Sequence, residues 1–227
     1  MSKRDMKNLI NSRPTGRRGL WSLVLLFLLA GCLPSRQPSL RIDYYTLDYP
    51  PPPIKMAKTA PLPVILSVQR FTVTPIYETD KLIYKDKNYS RAAYSYHRWQ
   101  ANPADLVTYY LTRDLQAGHL FAAVLPAMSN MSPTNMLEGT VDDFMEDDEG
   151  GNWYAVLAVT VILKRNHELD VSKEVIFQKS FSYRIKCREK QPLAVARAMS
   201  QAMAKLSADL NSSIYQALKD NNAEHNQ

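Results

Sequence analysis

The chain has 227 residues, with 28 Lys and Arg against 22 Asp and Glu, and only two cysteines. The formal charge of +6 is concentrated at the start. Residues 1–31 carry +5 and the remainder +1, so the high charge is no evidence for nucleic-acid binding, which would need a basic stripe in the remainder, and no nucleic-acid partner is expected. Cys187 is the only cysteine beyond residue 32, so packing alone, without an internal disulfide bridge, must hold the 196 residues that follow Gly31.

Lys3, Arg4, Lys7, Arg13, Arg17 and Arg18 precede a short apolar run from Leu20 to Leu29. That is the order of an export signal, and the run is shorter than the ~20 residues a membrane-spanning helix needs. The stretch ends Leu29-Ala30-Gly31-Cys32, which resembles the bacterial lipobox. The resemblance implies a signal peptide over residues 1–31, cleaved between Gly31 and Cys32. It also implies a diacylglyceryl group on the Cys32 thiol and an acyl chain on its amine, the only modification expected and no cofactor. Two or more chains suffice for stable anchoring, where one is marginal. Residues 32–40 then form a lipidated tether. Leu33 stands where an Asp would favour inner-membrane retention, so the sorting rule directs the chain to the outer membrane, facing the periplasm.

Arg41 to Leu47 alternates as a first strand, and Pro50 to Pro63 is a stiff connection. Val64 to Phe71 is β-rich. Lys81 to Lys85 and Tyr89 to Trp99 read as a hairpin dense in aromatics. Asn102 and Pro103 are an N-cap and a first helical residue, and Gly118 is placed to end that helix. Leu120 to Leu125, Met136 to Asp147 and Asn152 to Arg165 read as strands, the last apolar on both faces and so central. Gly150 and Gly151 mark the turn between the last two.

From Glu174 to Arg188, apolar and polar residues alternate, with Lys179 breaking the apolar face as at a bulge or sheet edge. A final helix runs from Pro192 to about Lys219, with a stripe from Leu193 through Met199, Met203, Leu206 and Leu210 to Ile214. The domain spans 41–219, and 220–227 is a polar tail. Short turns between consecutive strands argue for an α+β fold. We expect a single domain with a mixed, largely antiparallel sheet of about eight strands and two main helices packed on it.

Enzyme signatures are absent from the sequence: there is no G-x-S-x-G elbow, H-E-x-x-H helix or phosphate-binding glycine loop. His97, His119, His167 and His225 are too dispersed for a metal site, and no metal is expected. The acidic run Asp142 to Glu149 lacks calcium-loop spacing and reads as a solvated hairpin end. Cys187 falls on an apolar strand face, as a buried small hydrophobe would.

Taken together, the lipobox, Tyr44-Tyr45-Thr46-Leu47, Val68 to Pro75, Leu82-Ile83-Tyr84, Tyr96-His97-Arg98-Trp99 and Asn102-Pro103 resemble the ABC-type transport auxiliary lipoproteins. The resemblance covers roughly residues 41–218. It implies a non-enzymatic accessory to a system that pairs an ABC permease and ATPase with an MCE-domain protein and moves phospholipid or other hydrophobic molecules between two membranes. Aromatic and Arg side chains are the usual interface anchors, so Tyr84, Tyr94, Tyr96, His97, Arg98 and Trp99 are the candidate partner-binding residues, toward the MCE protein or a second copy of the chain. The alternative is that these aromatics simply pack the sheet. Two other functions stay open: an envelope scaffold that binds cell wall or another envelope protein, and a periplasmic hydrolase with a dispersed active site.

If Cys32 is the anchor, Cys32→Ser leaves the chain without label from a palmitate analogue, and either uncleaved or released from membranes. Label retained in the variant overturns the assignment.

Overall fold

The computed structural model describes residues 41–53, 60–87, 89–166, 168 and 170–225, of which the side chains of residues 86, 171, 172 and 222–225 are not described. Residues 1–40, with Gly31, Cys32 and the expected signal peptide and tether, lie outside the described residues, as does His167.

The elements in order are β1 (Asp43–Tyr45), β2 (Leu62–Val68), β3 (Thr72–Val73), a 3₁₀ turn (Pro75–Tyr77), β4 (Lys81–Lys87) and β5 (Ser90–Trp99). Then come α1 (Pro103–Ala117), β6 (Phe121–Pro126), β7 (Asn135–Glu149) and β8 (Asn152–Arg165). A single helical turn (Val171–Glu174) leads into β9 (Val175–Lys186), and α2 (Pro192–His225) ends the fold.

Local sequence explains the boundaries. The Asn102 side chain accepts from the Ala104 amide at 2.7 Å, with Pro103 opening α1. Gly150 and Gly151 both have positive φ, the conformation a two-residue hairpin turn demands. The end of α1 differs from expectation: Gly118 keeps a right-handed helical conformation, and His119 is the residue at positive φ.

The fold is α+β, with nine strands in one sheet among the described residues, and the expectation of a largely antiparallel sheet does not hold. Five pairings are parallel: β1 with β5, β2 with β6 and with β7, and β3 and β4 with β7. Antiparallel ladders are confined to the hairpins β4–β5, β7–β8 and β8–β9. The physical reason is that β2 does not pair with the strands that follow it closely. Its neighbours β6 and β7 arrive only after α1, and such crossovers give parallel strands.

β7 organises the sheet. Its 15 residues pair with β8 along one edge, while β2, β3 and β4 take successive parts of the other. β8 lies between β7 and β9, as expected of a central strand. Its burial alternates, however. Ala155, Leu157, Val159, Val161 and Leu163 are buried, while the residues between them are half-buried, so only one face meets the helix layer. Among the described residues β9 pairs only with β8, which makes Lys179 an edge residue. The bulge of that ladder falls instead near Leu163–Lys164. From α2, Met199, Met203, Leu206, Leu210 and Ile214 enter the core as the stripe predicts, but Leu193 does not and is exposed.

Gly139 in β7 marks a close approach. A Cβ there would sit 2.5 Å from the Thr160 carbonyl oxygen and 2.6 Å from the buried Phe71 ring. Gly139→Ala should therefore cost about 1–3 kcal/mol by overpacking. Thermal melts read this as a fall of several degrees; an unchanged midpoint would show that Phe71 and β8 yield freely.

Candidate functional site

The β4–β5 hairpin carries the six residues that the sequence nominates, and the structure does not bring them onto one surface. Trp99, only 2% exposed, meets Phe144 edge-on at 5.0 Å between ring centroids. It belongs to the core. Tyr84 and Tyr94 are half-buried, their rings 4.7 Å apart. Arg98 donates from Nη1 to both carboxylate oxygens of Asp80, at 3.1 and 3.0 Å. His97 presents Nδ1 to the Tyr45 hydroxyl at 3.1 Å and lies 3.8 Å from Asp43. Tyr96 is 43% exposed, and Tyr89, at positive φ on the hairpin tip, is fully exposed.

Beneath the hairpin lies a polar chain. The Tyr94 hydroxyl donates to Glu146 Oε2 at 2.9 Å, and its ring meets His97 edge-on. Glu146 is 2% exposed. Burial pushes its carboxyl up to about 7, the Tyr94 bond pulls the other way, and Asp148 adds to the rise. Burial first, and the Glu146 charge second, raise the Cys187 thiol to about 11, so this buried cysteine is a poor source of thiolate.

The acidic run is therefore not the solvated hairpin end expected. Asp142 accepts from Thr160 and Asp143 from Tyr77, while Asp147 is buried between Lys85 at 3.2 Å and Arg184 at 3.1 Å. Only Asp148 and Glu149 are exposed. The bulge at Asp142 shifts the alternation, so Phe144 and Glu146 face the core opposite Leu157 and Ala155.

A second feature is a cleft of about 730 Å³ between the β1 segment and the start of α2. Tyr44, Asp48, Lys186, Arg188, Leu193 and Arg197 line it, with helix alanines behind them. The sequence reading missed this cleft because its walls come from opposite ends of the chain. The available signal was the basic polar face at the end of β9, Arg184, Lys186 and Arg188.

Among the described residues, no group of three or more His, Cys, Asp or Glu could hold a metal, and no helix is long and apolar enough to cross a membrane.

Comparison with known proteins places this geometry. The family described as ABC-type transport auxiliary lipoprotein component matches residues 45–211. No curated protein matches the chain. Protein XCC0632 from Xanthomonas campestris, a DUF330 structure, superposes with a TM-score of 0.69 at 16% identity, covering 80% of this chain and 99% of that one. The crystal structure of an uncharacterized protein gives 0.59 at 15% identity, over 77% and 99%. At such identities the likeness is one of fold.

The buried Glu146 makes stability depend on pH. Its folded value of about 7 exceeds the ordinary 4.5, so between those limits the folded chain holds a proton that the unfolded chain releases. This contribution is fully present below about pH 4.5 and is lost as pH rises through about 7. Glu146→Gln keeps an acceptor for Tyr94 and removes the titration. The variant should gain stability on the wild type as pH rises from 5 to 8, visible as several degrees in thermal melts. Parallel melting curves across that range would show that Glu146 does not titrate there.

Proposed function

The chain belongs to the ABC-type transport auxiliary lipoprotein component family, and from that premise we propose how it serves such a transporter. It is held by lipid on Cys32 at the outer membrane, facing the periplasm. It acts without catalysis, beside an ABC permease and ATPase and an MCE-domain protein, in moving phospholipid or another hydrophobic molecule between the two membranes. The observation that carries this reading is the extent of the family match. It runs from the last residue of β1 into α2 and takes in every other strand and the whole of α1.

The partner surface is the outer side of the hairpin. Tyr96 and Tyr89 are its exposed aromatics, and His97 and Arg98 are held in place by Tyr45 and Asp80. Tyr84 and Tyr94 support that surface from below through their ring contact and the bond to Glu146. Exposed aromatics over a fixed polar layer suit a hot spot, where truncation of one side chain often costs at least ~2 kcal/mol, about a thirtyfold loss of affinity.

The soluble domain from residue 33 onward, mixed with the MCE partner in the analytical ultracentrifuge, tests this. Tyr96→Ala and Tyr89→Ala should weaken association about thirtyfold while the melting temperature holds. Trp99→Ala is the core control and should destabilise the fold by about 3–5 kcal/mol. Association untouched by Tyr96→Ala and Tyr89→Ala removes the hairpin from the interface.

A further inference from the structure

The cleft between β1 and α2 has a chemistry that the family description does not account for. Lys186, Arg188 and Arg197 all line it, and among the described residues none of the three has an acidic partner. Two acids share the lining, Asp48 and Glu189, and Glu189 is engaged by the Gln191 side chain. With three basic and two acidic side chains, the lining keeps a positive excess. Solvated cations that converge on one concave surface suit an anionic ligand with several acceptor oxygens.

The rim is apolar as well as cationic. Tyr44 is 57% and Leu193 42% exposed, and both line the cleft. Leu193 is the residue that the helix stripe assigned to the core. An exposed Leu and Tyr beside Lys and Arg are the side chains that settle at a bilayer surface, the rings at headgroup depth and the cations toward phosphate. The volume lies within the range of sites for small molecules.

The place of the cleft in the chain completes the argument. Tyr44 stands 12 residues after Cys32. A fully extended segment of that length spans at most about 43 Å, so an acylated Cys32 keeps the cleft within that distance of the leaflet that holds its anchor. We propose that this cleft docks the phosphate-bearing headgroup of a membrane lipid, with Lys186, Arg188 and Arg197 on the phosphate and Tyr44 and Leu193 against the acyl-glycerol region. The proposal rests on the lipid-anchored reading of the chain. It assigns the domain a second hold on the membrane, distinct from the acyl chains and from the partner surface on the hairpin.

The full-length protein, expressed in cells grown on ³²P-phosphate, tests it with p-benzoylphenylalanine at Leu193 or, as a control, at the exposed Met128. Irradiation should give a ³²P-labelled adduct at Leu193 that phospholipase C strips of its label, and little or none at Met128. Free phosphate has no C–H bond for the photoprobe to enter, so only a phosphate joined to carbon is captured. Lys186→Gln, Arg188→Gln and Arg197→Gln together should lower the adduct at least about tenfold, since each basic side chain at an anionic surface contributes appreciably. Thermal melts verify the fold of that variant, and Arg197→Gln alone, on an exposed helix position, should still lower the adduct severalfold. Equal labelling at Leu193 and Met128, or an unlabelled protein adduct at Leu193, overturns the cleft as a lipid site. Palmitate-analogue labelling in the same cells separates the two readings. An acylated protein without adduct overturns the cleft alone, whereas an unacylated protein overturns the anchor and the proposal with it.

Discussion

The arrangement depends first on one buried carboxylate. Asp114, in α1, has almost no access to solvent. Its Oδ2 accepts from the Tyr49 hydroxyl at 2.7 Å and from Ser207 of α2 at 2.5 Å, while Oδ1 takes Arg113 Nε at 2.8 Å. The Arg113 guanidinium lies over the rings of Tyr49 and Tyr110. A charge so buried is tolerable only with its partners in place, and removal of one partner from such a pair costs about 3–5 kcal/mol. The partners come from both ends of the domain. The N-terminal arm, α1 and α2 therefore meet at one point, and no disulfide is required to hold the arm. Tyr110 donates to the Leu47 carbonyl, and Ser200 accepts from the Asp48 amide, so the arm is fastened to both helices.

β7 imposes the second constraint. One edge is filled by β8, and the other must serve three shorter strands in turn. A strand shared in this way cannot keep a single face buried from end to end without adjustment. The bulge at Asp142 supplies it and returns Phe144 to the core side. The same shift carries Glu146 inward. Its burial is thus a consequence of sheet geometry, and the Tyr94 hydroxyl offsets part of the cost. The raised proton affinity of Glu146 follows from that one step in register, and the Glu146 charge adds to the rise that burial gives the Cys187 thiol.

Much of the fold was legible in the residues, and what was legible was local. Asn102-Pro103 opens α1, Gly150-Gly151 turns β7 into β8, and the methionine and leucine stripe of α2 meets the core, because each signal acts within a few residues. The partners of β2 were not legible, since pairing across more than fifty residues leaves no local trace. The acidic run misled for a related reason. Charge suggests solvent, yet Thr160, Lys85 and Arg184 from other strands and Tyr77 from the 3₁₀ turn reach these acids. In the hairpin, aromatic density showed that the rings matter but not which way they face. Trp99 and Tyr96 stand three residues apart in one strand, one in the core and the other in solvent.

The candidate surfaces converge on β1. This strand has only three residues, and its register sets Asp43, Tyr44 and Tyr45 against His97, Arg98 and Trp99 of the hairpin. Tyr44 and Tyr45 also line the cleft. The chain runs from residue 41 into β1 and leaves it toward Leu47 and the Asp114 cluster. One short parallel strand is therefore the junction between the hairpin and the cleft. Its ladder alone is too short to hold it. Further bonds do so: Gln100 donates to the Tyr45 carbonyl, the Tyr45 hydroxyl meets His97, and the bonds of Leu47, Asp48 and Tyr49 to the helices follow directly. Through Tyr49 and Asp114 the segment that follows β1 is tied into the helix layer, so the strand does not depend on its edge ladder alone.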